Sequence, residues 1–208
     1  MNLNLELITD KGSNSSERVE WVLNYKKIPF KWTKFTDNPS EEYRKINPLL
    51  RVPSLIVDAK PLSESVAMIE FLDEAYPKPS VFPKSLWDRA KVREICEIVN
   101  ATIHPVQNSK AAGFFIPGIS KTEIRPYRAR WIGENLKLLE PLLFQTSSFT
   151  YGETFTASDV FVAPMFRKGL ELGMDATELP KFVAHMQHCF SIDEIRQACP
   201  FALPEMIR

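Results

Sequence analysis

Leu3-Asn4-Leu5-Glu6-Leu7, followed a few residues on by Ser13-Asn14-Ser15-Ser16-Glu17-Arg18-Val19, is the stretch from which the order of the chain can be built. Leu3, Leu5 and Leu7 alternate with Asn2, Asn4 and Glu6, and a period of two predicts a half-buried strand. Asn14 and Glu17 then have the spacing of a helix cap, Asn14 receiving backbone N–H groups and Glu17 reaching back. Val19, Val22 and Leu23 supply the inward stripe of that helix. Ile28-Pro29-Phe30 ends it and opens a second strand that holds Phe30 and Trp32.

Asn38 to Ile46 is polar and turn-rich at its start, with a short helix expected before Asn47-Pro48. Ser54-Leu55-Ile56-Val57 reads as a strand, and Asp58-Ala59-Lys60 turns it into a short partner ending near Leu62. Ser63-Glu64-Ser65 leads into a helix with Val66, Ile69 and Leu72 on one face, which stops at Tyr76-Pro77. The order β-α-β-α-β-β-α within residues 1–76 is thioredoxin-like, one mixed sheet covered by helices. Pro77, Pro79 and Pro83 stiffen a linker over 77–84.

Residues 85–208 read as all-helical. Ser85 to Asp88 can cap a long helix with Val92, Ile95, Cys96, Val99 and Ile103 inward, kinked or ended at His104-Pro105. A second helix from about Thr122 to Leu143 is expected to point Ile124, Tyr127, Trp131, Leu138 and Leu142 inward. Thr156 to Asp159 is a further cap, and Phe182, Val183, Met186 and Phe190 mark a last amphipathic helix.

Lys+Arg and Asp+Glu balance at 26 each, so no overall field draws the chain to nucleic acid or an anionic membrane. Lys121 to Arg130, the most basic stretch, reads as a solvated helix face. No apolar run approaches the roughly 18 residues a membrane span requires, and a cytoplasmic location is expected. Cys96, Cys189 and Cys199 match no disulfide or metal spacing and are expected as free thiols. His185 and His188 stand three apart, but no third metal ligand accompanies them, and no metal is expected.

The chain resembles the glutathione transferase family, and within it the zeta class, which includes maleylacetoacetate isomerase. The resemblance runs through Ser13 to Val19, Asn47-Pro48 with Val52-Pro53-Ser54-Leu55, Leu62-Ser63-Glu64-Ser65 with Ile69-Glu70-Phe71-Leu72, Pro105-Val106-Gln107-Asn108, and Phe155 to Asp159. It implies a thioredoxin-like glutathione-binding domain followed by an all-helical one, working as a homodimer with glutathione as co-substrate. Ser13 is the implied catalytic hydroxyl, with Asn14 and Ser15 as neighbouring alternatives. A hydroxyl at a helix N-terminus favours the thiolate that glutathione must become.

The resemblance also implies a cis Val52-Pro53 bond whose Val52 backbone pairs with the tripeptide; a plain turn proline is the other reading. Glu64 and Ser65 suit the ammonium and carboxylate of a γ-glutamyl group. The second substrate, a small electrophile, is expected against His104, Gln107, Asn108, Ala111, Phe114 and Phe115. Three positions depart from the zeta pattern: Ser15 stands where that class carries cysteine, Glu17 where it carries tryptophan, and Glu171 where it carries a carboxylate-holding arginine. A carboxylate at 171 would repel an acidic substrate, with Arg167 one turn earlier as a substitute. These departures favour general conjugation of glutathione to an electrophile, with maleylacetoacetate isomerisation and a non-enzymatic scaffold as the alternatives.

Overall fold

A computed structural model describes residues 3–36 and 41–208. Asn2 of the strand motif, and the start of the turn-rich segment at Asn38, lie outside the described residues. The chain divides into two compact units, residues 1–81 with 197–201, and residues 82–196 with 202–208.

The first unit is built on a sheet of β1 (Leu5–Thr9), β2 (Lys31–Lys34), β3 (Ser54–Val57) and β4 (Lys60–Leu62) in the order β2-β1-β3-β4. β1 runs parallel to β2 and antiparallel to β3, and β3 is antiparallel to β4. Register sets Leu7 beside both Trp32 and Leu55, so the fully buried Leu7 and Leu55 share the central pair. Burying side chains of this size contributes about 1.5–3 kcal/mol each. Helices α1 (Asn14–Tyr25), α2 (Glu41–Ile46) and α3 (Ser65–Ala75) complete the thioredoxin-like order.

Val19, Val22 and Leu23 of α1 are fully buried as their spacing predicts, and so is Trp21, whose ring meets the edge of Phe201 at 5.4 Å. The inward face of α3 is Met68, Ile69 and Leu72, with Val66 half-exposed. Phe30 lies just outside β2, and Trp32 is exposed on that edge strand. The cap of α1 also differs from expectation: Ser13, not Asn14, holds the extended cap position, while Asn14 is helical and buried.

A buried ion pair closes this unit. Lys26 Nζ lies 2.7 Å from Asp73 of α3 and donates to the carbonyls of Tyr76 and Pro79. Asp73 also accepts from the Val81 N–H and the Ser80 hydroxyl, each at 2.8 Å.

In the second unit, α4 (Leu86–Glu97) passes into a π-helical segment (Ile98–Ile103) and then α5 (His104–Gln107), α6 (Ser109–Phe115) and α7 (Lys121–Leu139). The sequence places a kink or an end at His104-Pro105; the helical run continues past Pro105 to Gln107, with the turns ahead of the proline widened. They ease the clash between the proline ring and the carbonyl four residues back. Helices α8 (Ala157–Leu172), α9 (Pro180–Ser191) and α10 (Asp193–Ala198) follow.

α8 is buried along nearly its whole length and packs on α7. Gly169 permits that approach: a Cβ there would come within 3.1 Å of Ile132 on α7 and 2.8 Å of the Met174 sulfur. The inward stripe of α7 is therefore Ile124, Ala129, Ile132, Gly133, Leu136 and Leu139. Tyr127, Leu138 and Leu142, expected inside, are exposed.

The start of α8 rests on Asp159, which has no solvent exposure. Its carboxylate accepts from the N–H groups of Thr150 and Thr156, at 2.8 and 2.6 Å, and from both threonine hydroxyls. His185 of α9 donates through Nδ1 to the Ser148 carbonyl at 2.8 Å and sets Nε2 3.7 Å from Asp159. Burial depresses the His185 pKa below 6.5; Asp159 opposes that shift.

Two outcomes follow for stability. Asp73→Ala leaves the buried Lys26 without a counter-ion, so chemical denaturation should show a loss of about 3–5 kcal/mol, partly recovered when Lys26→Met is added. Because His185 binds its proton more readily unfolded than folded, stability should fall as pH drops below 6.5. Denaturant titrations between about pH 7.5 and 5.5 should show that slope, and His185→Gln should flatten it.

Candidate functional site

β1 ends at Thr9, and the turn after it needs Gly12, whose φ of +78° suits a residue without a Cβ. That turn delivers Ser13 in an extended conformation to the cap of α1, where its side chain makes no capping bond. Its hydroxyl lies 3.4 Å from that of Ser15, and Ser15 in turn donates to the Val52 carbonyl at 3.1 Å. The three candidates Ser13, Asn14 and Ser15 thus separate. Asn14 is buried in the first turn, Ser15 is committed to the Val52 loop, and Ser13 holds a hydroxyl at the positive end of the helix.

The Val52-Pro53 bond is cis. A buried bracket that sequence reading did not assign holds the loop before it. Tyr43 donates to the Arg51 carbonyl at 2.6 Å, Asn47 Nδ2 donates to the same oxygen at 2.9 Å, and the Ser54 hydroxyl meets that of Tyr43 at 2.8 Å. Burial raises the Tyr43 pKa, keeping the phenol a neutral donor. Asn47 is visible in the sequence as part of Asn47-Pro48; nothing local marks Tyr43 as its partner.

α3 opens the same way as α1. Its cap residue, Glu64, has a φ of +70°, unusual for a residue with a side chain, and makes no side-chain cap bond. Ser65 is buried, with its hydroxyl 3.5 Å from the guanidinium of Arg18, a fully buried residue of α1. By contrast, Ser85 caps α4, Ser120 and Glu123 form a capping box on α7, and Asp159 closes the start of α8.

In the second unit Ala111 and Phe115 line a groove of about 390 Å³ together with Val106, Ile124, Tyr127 and Trp131. His104, Gln107, Asn108 and Phe114 are not part of its lining. Gln107 is buried and accepts from Arg128 through its main-chain carbonyl and its Oε1. Asn108 ends α5, and Phe114 is 81% exposed with its ring against Phe115.

The arginines of the basic stretch are engaged locally: Arg125 with the Glu171 carbonyl, Arg128 with Gln107, and Arg130 with Glu134. Arg167 and Lys168 both pair with the Glu171 carboxylate. The repulsion expected of Glu171 is thereby neutralised, and Arg167 is already committed to it. Among the described residues no three His, Cys, Asp or Glu side chains gather as metal ligands, and no helix is long and apolar enough to cross a membrane.

Residues 7–80 match the family "Glutathione S-transferase, N-terminal domain". A probable maleylacetoacetate isomerase of Drosophila melanogaster is 31% identical over 201 residues, covering 93% of this chain and 80% of that protein. The chain belongs to the glutathione transferase family. Within it the likeness is to the zeta class: a bacterial maleyl pyruvate isomerase described as a zeta-class glutathione S-transferase superposes with a TM-score of 0.86 at 27% identity, over 96% of this chain and 99% of that one. The maleylacetoacetate isomerase of Anaeromyxobacter dehalogenans, with glutathione in its active site, superposes at a TM-score of 0.81 and 25% identity, covering 98% of each chain.

The left-handed backbone at Glu64 holds strain of about 1–3 kcal/mol. Glu64→Gly should relieve it and raise the unfolding free energy by about 1 kcal/mol, whereas Glu64→Ala should bring no gain. Denaturant melts of the two variants decide the matter.

Proposed function

We propose that the chain is a glutathione-dependent cis–trans isomerase of a small unsaturated acid of the maleylacetoacetate or maleylpyruvate kind. The observation that carries this reading is the pair of helix N-termini in the first unit, α1 and α3, that lack side-chain caps and each bear a serine. The zeta-class relatives supply the reaction type.

The residues fit the tripeptide. The free N–H groups at the start of α3, with the Ser65 hydroxyl, suit a carboxylate, and the exposed Glu64 suits the adjacent ammonium. The Val52 backbone, held by Ser15 and by the Tyr43 bracket, presents an edge for peptide pairing. Ser15 places its proton on Val52, so in the 3.4 Å contact Ser13 donates to Ser15; a bound sulfur would take that proton instead, and the α1 dipole adds to the stabilisation.

When bound, glutathione supplies a thiolate that adds reversibly to an electron-poor double bond, permits rotation about the resulting single bond, and is expelled again with no net redox change. Residues 1–76 would hold the tripeptide, 77–84 link, and 85–208 hold the second substrate. Ala111 and Phe115 form one wall of that second site, with His104, Gln107, Asn108 and Phe114 as its further candidates. The chain is read as a cytoplasmic homodimer, its three free cysteines suiting a reducing compartment.

Two residues favour the second reading, conjugation to an electrophile. Ser15 replaces the class cysteine, and Glu171 replaces the class arginine. Assaying the chain with a cis-enedione acid and with an aryl halide, each with and without glutathione, separates the two. Isomerisation should require glutathione, and Ser13→Ala should lower kcat/KM by about 100-fold while leaving tripeptide affinity nearly unchanged. Conjugation without isomerisation would support the second reading; glutathione binding without either reaction would remove the enzymatic one.

A further inference from the structure

The chain is neutral as a whole, but its charge is unevenly spread. Residues 98–133 hold five Lys or Arg residues, at 110, 121, 125, 128 and 130, and a single acid, Glu123. Glu123 offsets one of these charges, and Glu134 offsets Arg130 at 2.7 Å, so the stretch stays positive. Arg125 and Arg128 donate to main-chain carbonyls, which leaves their charge in place. Lys121 and Arg125 are both exposed on α7.

The turn from α6 into α7 carries the second feature. Phe114, Phe115 and Ile116 are 81%, 79% and 51% exposed, and the two rings stand edge to face at 5.6 Å. Gly118, at a φ of +84°, turns the chain just after them. Phe115 and Ile116 line one groove with Tyr127 and Arg130, so the apolar tip and the cations share a side of the unit. Large apolar side chains gathered in water are costly and mark a surface that something else covers.

Charge decides what that is. A second copy meeting through the same patch would set these cations against their own counterparts. An anionic bilayer satisfies both features: aromatic and aliphatic side chains enter the headgroup region, and the surrounding Lys and Arg side chains meet lipid phosphates. We propose that the turn between α6 and α7 docks the protein reversibly on anionic phospholipid membranes, with Phe114 and Ile116 inserted and Lys121 and Arg125 on the headgroups. The contact lies on the surface and spans nothing. It does not depend on the glutathione reading, because it can be measured without glutathione and without turnover.

The test is sedimentation of the full chain with sucrose-loaded vesicles of phosphatidylcholine, with and without phosphatidylserine. Binding should require phosphatidylserine and weaken with added salt. It should fall about fivefold for each cation removed in Lys121→Gln and Arg125→Gln. Phe114→Ser combined with Ile116→Ser should lower it about tenfold or more. Trp87→Ser, at another exposed aromatic residue of the unit, should leave it unchanged. The emission of Phe114→Trp should shift to shorter wavelength when the anionic vesicles are added, and brominated acyl chains should quench it. Equal sedimentation with both lipids, binding retained by the Phe114 and Ile116 double variant, or an equal loss in Trp87→Ser would overturn the proposal. So would the same shift of Phe114→Trp on raising protein concentration without vesicles, which would make a second copy the cover.

Discussion

Every α-helix begins with N–H groups that its own backbone cannot satisfy, and how each is satisfied organises this molecule. In the second unit α4, α7 and α8 are closed by the chain's own side chains, Ser85, Ser120 with Glu123, and Asp159, whereas α9 opens on Leu179 and Pro180 without one. In the first unit α1 and α3 begin at Ser13 and Glu64 with no side-chain cap. An N-terminal cap contributes about 1 kcal/mol, so these two helix ends forgo that stabilisation. The buried Lys26–Asp73 pair and the Leu7–Leu55 core lie in the same unit and hold its frame independently of those helix ends.

Ser15 shows how one substitution can keep a geometry while changing a chemistry. Its hydroxyl ties the first turn of α1 to the Val52 carbonyl, and Tyr43 and Asn47 tie the preceding carbonyl to α2 and the loop after it. The loop is thus held from both sides. A thiol at this position would be a weaker donor to Val52 but a nucleophile in its own right. Serine at this position holds the loop, and on the proposed function the sulfur chemistry would be left to the tripeptide.

Much of the fold was legible because strands and buried helices impose strict periods. Leu3-Leu5-Leu7, Val19-Val22-Leu23 and Val92-Ile95-Cys96-Val99-Ile103 each satisfy one period only. α7 satisfies two. Its apolar residues can be drawn as Ile124-Tyr127-Trp131-Leu138 or as Ile124-Ala129-Ile132-Leu136-Leu139, and hydrophobicity alone favours the bulkier set. The small set lies inside because α8 approaches closely at Gly169 and Met174, a contact written in distant residues. The Tyr43 bracket was hidden for the same reason: a tyrosine on a short helix gains its meaning only from a carbonyl eight residues on. Ser13, Val52-Pro53 and Glu64-Ser65 were legible as a motif, whereas Arg18 beneath Ser65 carried no local signal.

Charge placement extends that argument to specificity. Glu171 appears in the sequence as a barrier to acidic substrates, yet Arg167 and Lys168 absorb its charge and Arg125 binds its carbonyl. Position 171 is neutralised rather than negative. Among the described residues Arg128 on α7 is a half-buried cation with no carboxylate partner, where the helix meets the apolar groove. A substitution on α8 that removes an arginine need not remove the capacity to hold an acid, provided another guanidinium remains half-buried and without a carboxylate. Such a cation attracts an anion more strongly than a solvated one, because the low-dielectric wall that makes it costly to bury also strengthens the pairing.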